Sequence, residues 1–513
     1  MILTREKIGA GDGGLGDDVT VDALLRRHAS KTPEACALVD PVDRPVFTDG
    51  RLRRLNWGEL DVEVERISAG LRGLNLGRDA IVALQMPNIA ESVIALLAVL
   101  RAGYIPMPLP LAWRRREVVH ALTRTGAKAI VTVCRCGPVN HAELACYAAA
   151  DAFTVRFVLA FGRNPPDGVI SIDENIGDLA RPSADADLGR TGKAGHHVAL
   201  ITWDATPGGF APAVRTQGEL VTSGLAHMLE AGLSDEDVVG TTLLISSIAA
   251  LATGLVPVLL SGASFVLHQP FSSRALAGAM VTENISHLVV PGPVALGLAA
   301  RVRPSGRALR SVGAVWRTGD TPARLASPSV PLVDVITFGE IGIASAVRGS
   351  DGTPAPLPHG RVHSPRSHTR GPCLLETRVT PQGHLVLRGA LVPSANLPGE
   401  PSLPIGHEGW VETGLKAGVT QGRISIGGAR DGIARIGGLS FPRPALEESL
   451  RAVSSSAGAA LTLEKDDLFG EAARAGSDGQ ALAEALAGSG TSVALRPRAN
   501  ESGGEEQRRA GAA

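Results

Sequence analysis

The sequence predicts an α/β protein of more than one domain, on three observations. Short apolar runs alternate with helical stretches through most of the chain, the pattern of parallel βαβ units. After about residue 350 that alternation gives way to short strands between turns. At 513 residues the chain also exceeds one ordinary domain.

The elements follow in order. Residues 20 to 30 and 57 to 74 read as amphipathic helices; in "WGELDVEVERISAGLRGL" apolar residues recur at three- and four-residue spacing. The strand "AIVALQM" precedes a helix, "NIAESVIALLAVLRAG", that Gly103 closes as a C-cap. "YIPMPLPL" is extended, "RREVVHALTRTG" a helix and "KAIVTV" a strand. Further strands are expected at "FVLAF", "HHVALITW", "GASFVL", "ISHLVVPG" and "PLVDVITFG". Then "GTPAPLPHGRVHSPRSHTRGP" is a loop by composition, and "CLLETRV" and "HLVLRGA" open a β-rich subdomain.

Composition narrows the function. A hydrophobic content of 44% and a net charge of −1 describe a globular protein with no pull towards nucleic acid or acidic membranes. The five cysteines (Cys36, Cys134, Cys136, Cys146, Cys373) are odd in number and suit neither a disulfide framework nor a zinc site. "MILTREKIGAGDGG" lacks the apolar core of a signal peptide, which predicts a cytoplasmic protein. The uncharged segment from Val238 to Leu267 is long enough to span a bilayer. Gly254, Pro257 and Gly262 break it, so a buried helix leading into a buried strand is expected.

Several stretches in order resemble the adenylate-forming superfamily, which comprises acyl-CoA synthetases, luciferases and the adenylation domains of peptide synthetases. They are "LNWGELDVEVERISAGLRGLNLGRDAIVALQMPNIAESVIALLAVLRAGYIPMPLPLAWRRREVVHAL", "GLVPVLLSGASFVL", "RTGDTPARL", "ITFGEIG", "GHLVLRG" with "EGWVETG", and "GARDGIARIGGLSFPRPALEESL". The resemblance implies a large N-terminal domain over 19–430, with its β-rich subdomain at about 350–430. It also implies a short, mobile α+β domain over 431–495, between a flexible start at 1–18 and a disordered tail at 496–513. It further implies ATP and Mg²⁺ as cofactors, a carboxylic acid or acyl group as ligand, and CoA, a carrier protein or a partner enzyme as acceptor or partner.

The same resemblance marks the site. Thr206, Gly208, Gly319, Phe338, Glu340, Thr413 and Arg430 fall on nucleotide-binding positions. Asp431 falls on the hinge, and Glu340 on the acid that holds Mg²⁺, since hard cations take carboxylate oxygens. The aromatic that stacks on the base is either Ile336 or Phe338, depending on one small gap.

The chemistry is what the residues fail to repeat. In "ITWDATPGGFAPAVRTQGEL" the family's phosphate loop ends in Pro-Lys, but Phe210 and Ala211 stand there, and Asp204 and Ala205 replace a hydroxyl residue and a glycine. A register shifted by two puts Pro212 on the proline and Ala213 on the lysine. A lost lysine removes a charge-assisted contact of roughly 1.5–3 kcal/mol. Leu415 replaces the aspartate that accepts from both ribose hydroxyls. Gly428 replaces the hinge arginine, with Arg430 as a neighbouring substitute, and no lysine follows Lys465. The "LLISSIAAL" segment also lacks the family histidine.

Three readings follow: a homologue without adenylating chemistry that binds an acyl group or partner, an active ligase working through Thr206, Gly208, Glu340 and Arg430, or an ATP-independent enzyme reusing the acyl cleft. "GDGGLG" at 11–16 lacks the βαβ context of a dinucleotide site, and "LGRTGKAG" lacks the spacing of a Walker loop.

Overall fold

A computed structural model describes residues 17–180, 192–269, 272–301, 309–365, 372–397, 399, 402–436, 438–457, 461–466 and 470–475. The expected flexible start, except for Asp17 and Asp18, and the expected tail lie outside these residues, as does the first half of "LGRTGKAG".

Two sheets with parallel centres carry the large unit. One has five parallel strands in the order Ile105–Pro108, Ile81–Gln85, Ala129–Val133, Phe157–Phe161 and Ile170–Ser171. The other has eight, whose inner strands Leu332–Thr337, Ser311–Trp316, His287–Pro291, Val238–Thr241, Ser264–Leu267 and Cys36–Val39 run parallel. Its edges, Ile343–Val347 and Arg54–Asn56, are antiparallel.

Helix Ala90–Arg101 is buried along its whole length. It joins one apolar cluster that takes in Val82 and Val131 of the smaller sheet and Val239 and Phe265 of the larger. The uncharged segment from Val238 resolves into strand, helix and strand. Its helical part runs from Ile248 to Ser261 through a π-helical turn at Leu251–Leu255, and Gly262 ends it at φ +89°. No helix among the described residues is long and apolar enough to cross a membrane.

Six antiparallel strands between Leu357 and Ile426 form the β-rich part. Four more, Leu439–Pro442, Ile433–Ile436, Gly470–Ala475 and Leu461–Asp466 in spatial order, form a terminal unit with helix Arg443–Ala457.

Helix Gln217–Ala231 is tied to the large sheet by a buried polar chain. His227 Nδ1 meets Ser345 Oγ at 3.0 Å, its Nε2 meets His287 Nε2 at 3.2 Å, and His287 Nδ1 meets Ser311 Oγ at 2.6 Å. Burial holds His227 well below the usual imidazole range and brings His287 down to about 4. The unfolded chain therefore binds these protons more readily than the folded one. The stability they protect is complete above about pH 6.5 and is lost as pH falls towards 4, by at most about 1.4 kcal/mol per pH unit for each histidine. Denaturation midpoints at pH 7.5 and 5.0 should differ accordingly, and His287→Gln should flatten the difference.

Candidate functional site

The stretch expected to wrap phosphates is a tight hairpin. Strand Val198–Thr206 pairs antiparallel with Gly209–Thr216, ending with Thr206 opposite Gly209. Pro207 and Gly208 are the whole turn. The Thr206 hydroxyl donates to the Gly209 carbonyl at 2.8 Å and closes the turn on itself. A phosphate cradle needs several successive amides facing one point, and a two-residue turn offers few. Beside it, between the turn and helix Arg443–Ala457, lies an open cleft of about 430 Å³ lined by Pro207, Gly208, Pro442, Pro444, Glu448 and Arg451.

Inside the hairpin sits a buried ion pair. Asp204 is 3% exposed and Arg430 is 8% exposed. Arg430 Nη1 donates to Asp204 Oδ2 at 2.7 Å and to the Ala205 carbonyl at 3.2 Å, while Nη2 donates to the Phe338 carbonyl at 2.8 Å. The backbone at Gly339 passes close above the pair. A Cβ there would stand 2.4 Å from both Arg430 Nη2 and Asp204 Oδ1, and its φ of +63° independently favours glycine.

Glu340 and Arg215 lie next to this pair. Glu340 Oε2 accepts from the Ile248 amide at 2.8 Å, at the start of the helical segment 248–261. That placement sets a carboxylate at a helix N-terminus. Burial pushes the Glu340 carboxyl up to about 7; the Ile248 amide and Arg215 oppose the rise, and Asp204 adds to it.

Arg215 is fully buried, and burial brings its guanidinium down to about 10, so it stays charged at neutral pH. It donates to three carbonyls, those of Leu391 (2.7 Å), Glu340 (2.6 Å) and Ile341 (2.8 Å). The basic residue of the expected phosphate loop is thus a clamp between the β-rich part and the Glu340 loop.

Because Glu340 takes up a proton more readily when folded, the stability this group confers is greatest below about pH 4.5 and falls as pH rises through 7. The change is at most about 1.4 kcal/mol per pH unit. Glu340→Gln keeps an oxygen for the Ile248 amide but cannot ionise. Its denaturation midpoint should therefore exceed the wild type's at pH 8, with the gap closing at pH 5.

Residues 25–327 match the AMP-binding enzyme family. The chain belongs to that family. It is 31% identical over 147 residues to the salicyl-AMP ligase / salicyl-S-ArCP synthetase of Mycobacterium tuberculosis, covering 29% of this chain and 25% of that protein. Against the indoleacetate–CoA ligase of Aromatoleum aromaticum it is 27% identical over 409 residues, or 76% of this chain and 74% of that one. Its fold matches the apo structure of Mycobacterium smegmatis MbtA with a TM-score of 0.63 at 20% identity, covering 94% and 90% of the two chains.

Measured against the family's positions, the site residues divide. Asp204, the Phe338 carbonyl, Gly339 and Arg430 converge, with Glu340 alongside. The Phe338 ring does not join them: it is fully buried in the apolar cluster that also holds Ile341, Leu385 and Val411. Leu415 is fully buried in the same cluster. The Thr413 hydroxyl is spent on the Leu385 carbonyl (2.8 Å) and the Leu415 amide (3.2 Å). Gly319 turns at φ +85° against residues 427–432, where a Cβ would come within 2.2 Å of the Gly428 carbonyl. Asp431 is exposed and pairs with Lys416 at 2.6 Å.

Sequence reasoning treated Asp204 and Arg430 as two separate departures. Their pairing across 226 residues is a tertiary fact, although a new carboxylate and a displaced arginine in one chain were a usable signal. It also missed the ion pair from Arg435 to Asp320 (2.6 Å) and the aromatic group of Trp113, Trp203, His120, Phe210 and Phe441.

Proposed function

We propose that this chain is a family member that keeps the fold without forming an acyl adenylate, and that it acts by binding an acyl group or a protein partner. The observation that carries this reading is the Asp204 carboxylate inside the hairpin, already neutralised by Arg430. A magnesium nucleotide needs cations and amides at that place. Arg430 is held by one carboxylate and two carbonyls, and Arg215 by three carbonyls.

Other features support the same reading. A phosphate placed there would have to draw Arg430 away from Asp204 and leave that carboxylate facing it. Glu340 is engaged with a helix terminus. Ribose hydroxyls would find Leu415 where the family has an acceptor, at roughly 1–3 kcal/mol for each unpaired donor. The residues as disposed do not fit the magnesium nucleotide.

The test is ATP–pyrophosphate exchange with the purified chain and a panel of aryl, indolyl and fatty carboxylic acids. The expected result is no exchange above a protein-free control with any acid. Acid-dependent exchange would identify an active ligase with divergent residues and overturn the proposal.

A further inference from the structure

The terminal unit hangs on a connector built to bend. Between Ile426 and Ile433 the chain reads Gly427, Gly428, Ala429, Arg430, Asp431, Gly432, with Gly428 at φ +113° and Gly432 at φ +72°. Three glycines in six residues impose little stiffness, so any fixed orientation must come from contacts that the connector and the terminal unit make with the large unit.

Those contacts are specific. In the middle of the connector, Arg430 inserts its guanidinium between Asp204, the Ala205 carbonyl and the Phe338 carbonyl. The Gly428 carbonyl packs against Gly319 so closely that a side chain at 319 would displace it. Beyond the connector, Arg435 reaches back to Asp320 at 2.6 Å and to the Thr318 carbonyl at 3.0 Å. The Phe441 ring lies 6.2 Å from Phe210 at the hairpin. Arg116 Nη1 donates to Ser449 Oγ at 2.7 Å on the terminal helix.

We propose that the Asp204–Arg430 pair is an internal latch that locks the terminal unit onto the large unit in one orientation. Of these contacts, this pair alone joins the bending segment itself to the hairpin by a charge pair buried at both ends. The Arg435–Asp320 pair is less buried, its side chains 19% and 16% exposed, and it lies beyond the connector. Parting a fully buried pair strands two charges away from water. Swinging of the connector at residues 427–430 therefore requires Arg430 to leave Asp204 first. The fork matters as well as the charge, because one guanidinium bridges the hairpin and the Phe338 loop at once.

The latch is independent of whether ATP binds, so pyrophosphate exchange does not bear on it. Hydrogen exchange on the full chain, read peptide by peptide, tests it with two variants. Asp204→Asn keeps the shape and loses the charge; Arg430→Lys keeps the charge and loses the fork. In each, strands Ile433–Ile436 and Leu439–Pro442 should exchange at least about tenfold faster than in the wild type, while strands Val238–Thr241 and His287–Pro291 stay unchanged.

Unchanged exchange in the terminal strands of both variants would overturn the latch. So would acceleration spread evenly over the chain, which would assign the pair to general stability. Loss of folded protein in both variants would count the same way, and if only one folds, its exchange pattern decides.

Discussion

Arg215→Met should lower stability by about 3–5 kcal/mol, the larger of the single-residue effects expected around the site that leave the protein folded. The guanidinium serves three buried carbonyls on two different segments. A methionine fills much of the space but donates nothing, and each buried acceptor left unpaired costs about 1–3 kcal/mol. Relief of the buried charge offsets part of that sum. Arg215→Lys should rescue only partly, since one ammonium cannot reproduce the fork that reaches Leu391 and the Glu340–Ile341 carbonyls together. Denaturant midpoints for the three proteins measure this directly. A loss below about 1 kcal/mol in Arg215→Met would mean that the clamp is not what holds the β-rich part to the Glu340 loop.

Leu415→Asp should be still more damaging and should abolish soluble folded protein. In sequence terms it restores a family acid. In the structure Leu415 is fully buried among Leu385, Val411 and Ile424. The substitution gives up roughly 2–3 kcal/mol of apolar burial and adds the several kcal/mol needed to keep a carboxylate out of water. Leu415→Ala, which makes only a cavity, should cost about 2–5 kcal/mol and leave a folded protein for comparison. A stable Leu415→Asp protein would show that the side chain can turn towards solvent and a ribose. The outcome bears on repair of the site in general. Ala211 and Ala213, the two positions the sequence offers for a lysine, are also fully buried, and Ala211 lies directly across the hairpin from Asp204.

Much of the fold was legible in the sequence. The helix Trp57–Gly73 was visible in three- and four-residue spacing, and the strands Ile81–Gln85 and Ala129–Val133 in short apolar runs. The uncharged segment at 238–267 could be read as helix and strand because Gly254, Pro257 and Gly262 interrupt it. Local chemistry decided these cases, and local chemistry is what a sequence displays.

The site was less legible, for a physical reason. At Phe210, Ala211 and Leu415 the sequence could be set against the resemblance one residue at a time. What those positions became instead depends on neighbours far along the chain. Asp204 could be recognised as a charge unwelcome to a phosphate, but not as the partner of Arg430. Arg215 stood out as the one basic residue of its stretch. Its direction, inward to three carbonyls, follows from how the β-rich part packs on the hairpin. Glu340, read from the sequence as the acid for Mg²⁺, takes up a helix terminus.

The most direct measurement is calorimetric titration of the purified wild-type chain with ATP, in the presence and absence of Mg²⁺. The account predicts no binding heat and no thermal shift at millimolar ATP. A micromolar dissociation constant that depends on Mg²⁺ would contradict it, because a cradle for the phosphates would then have to open where Asp204 and Arg430 now close it.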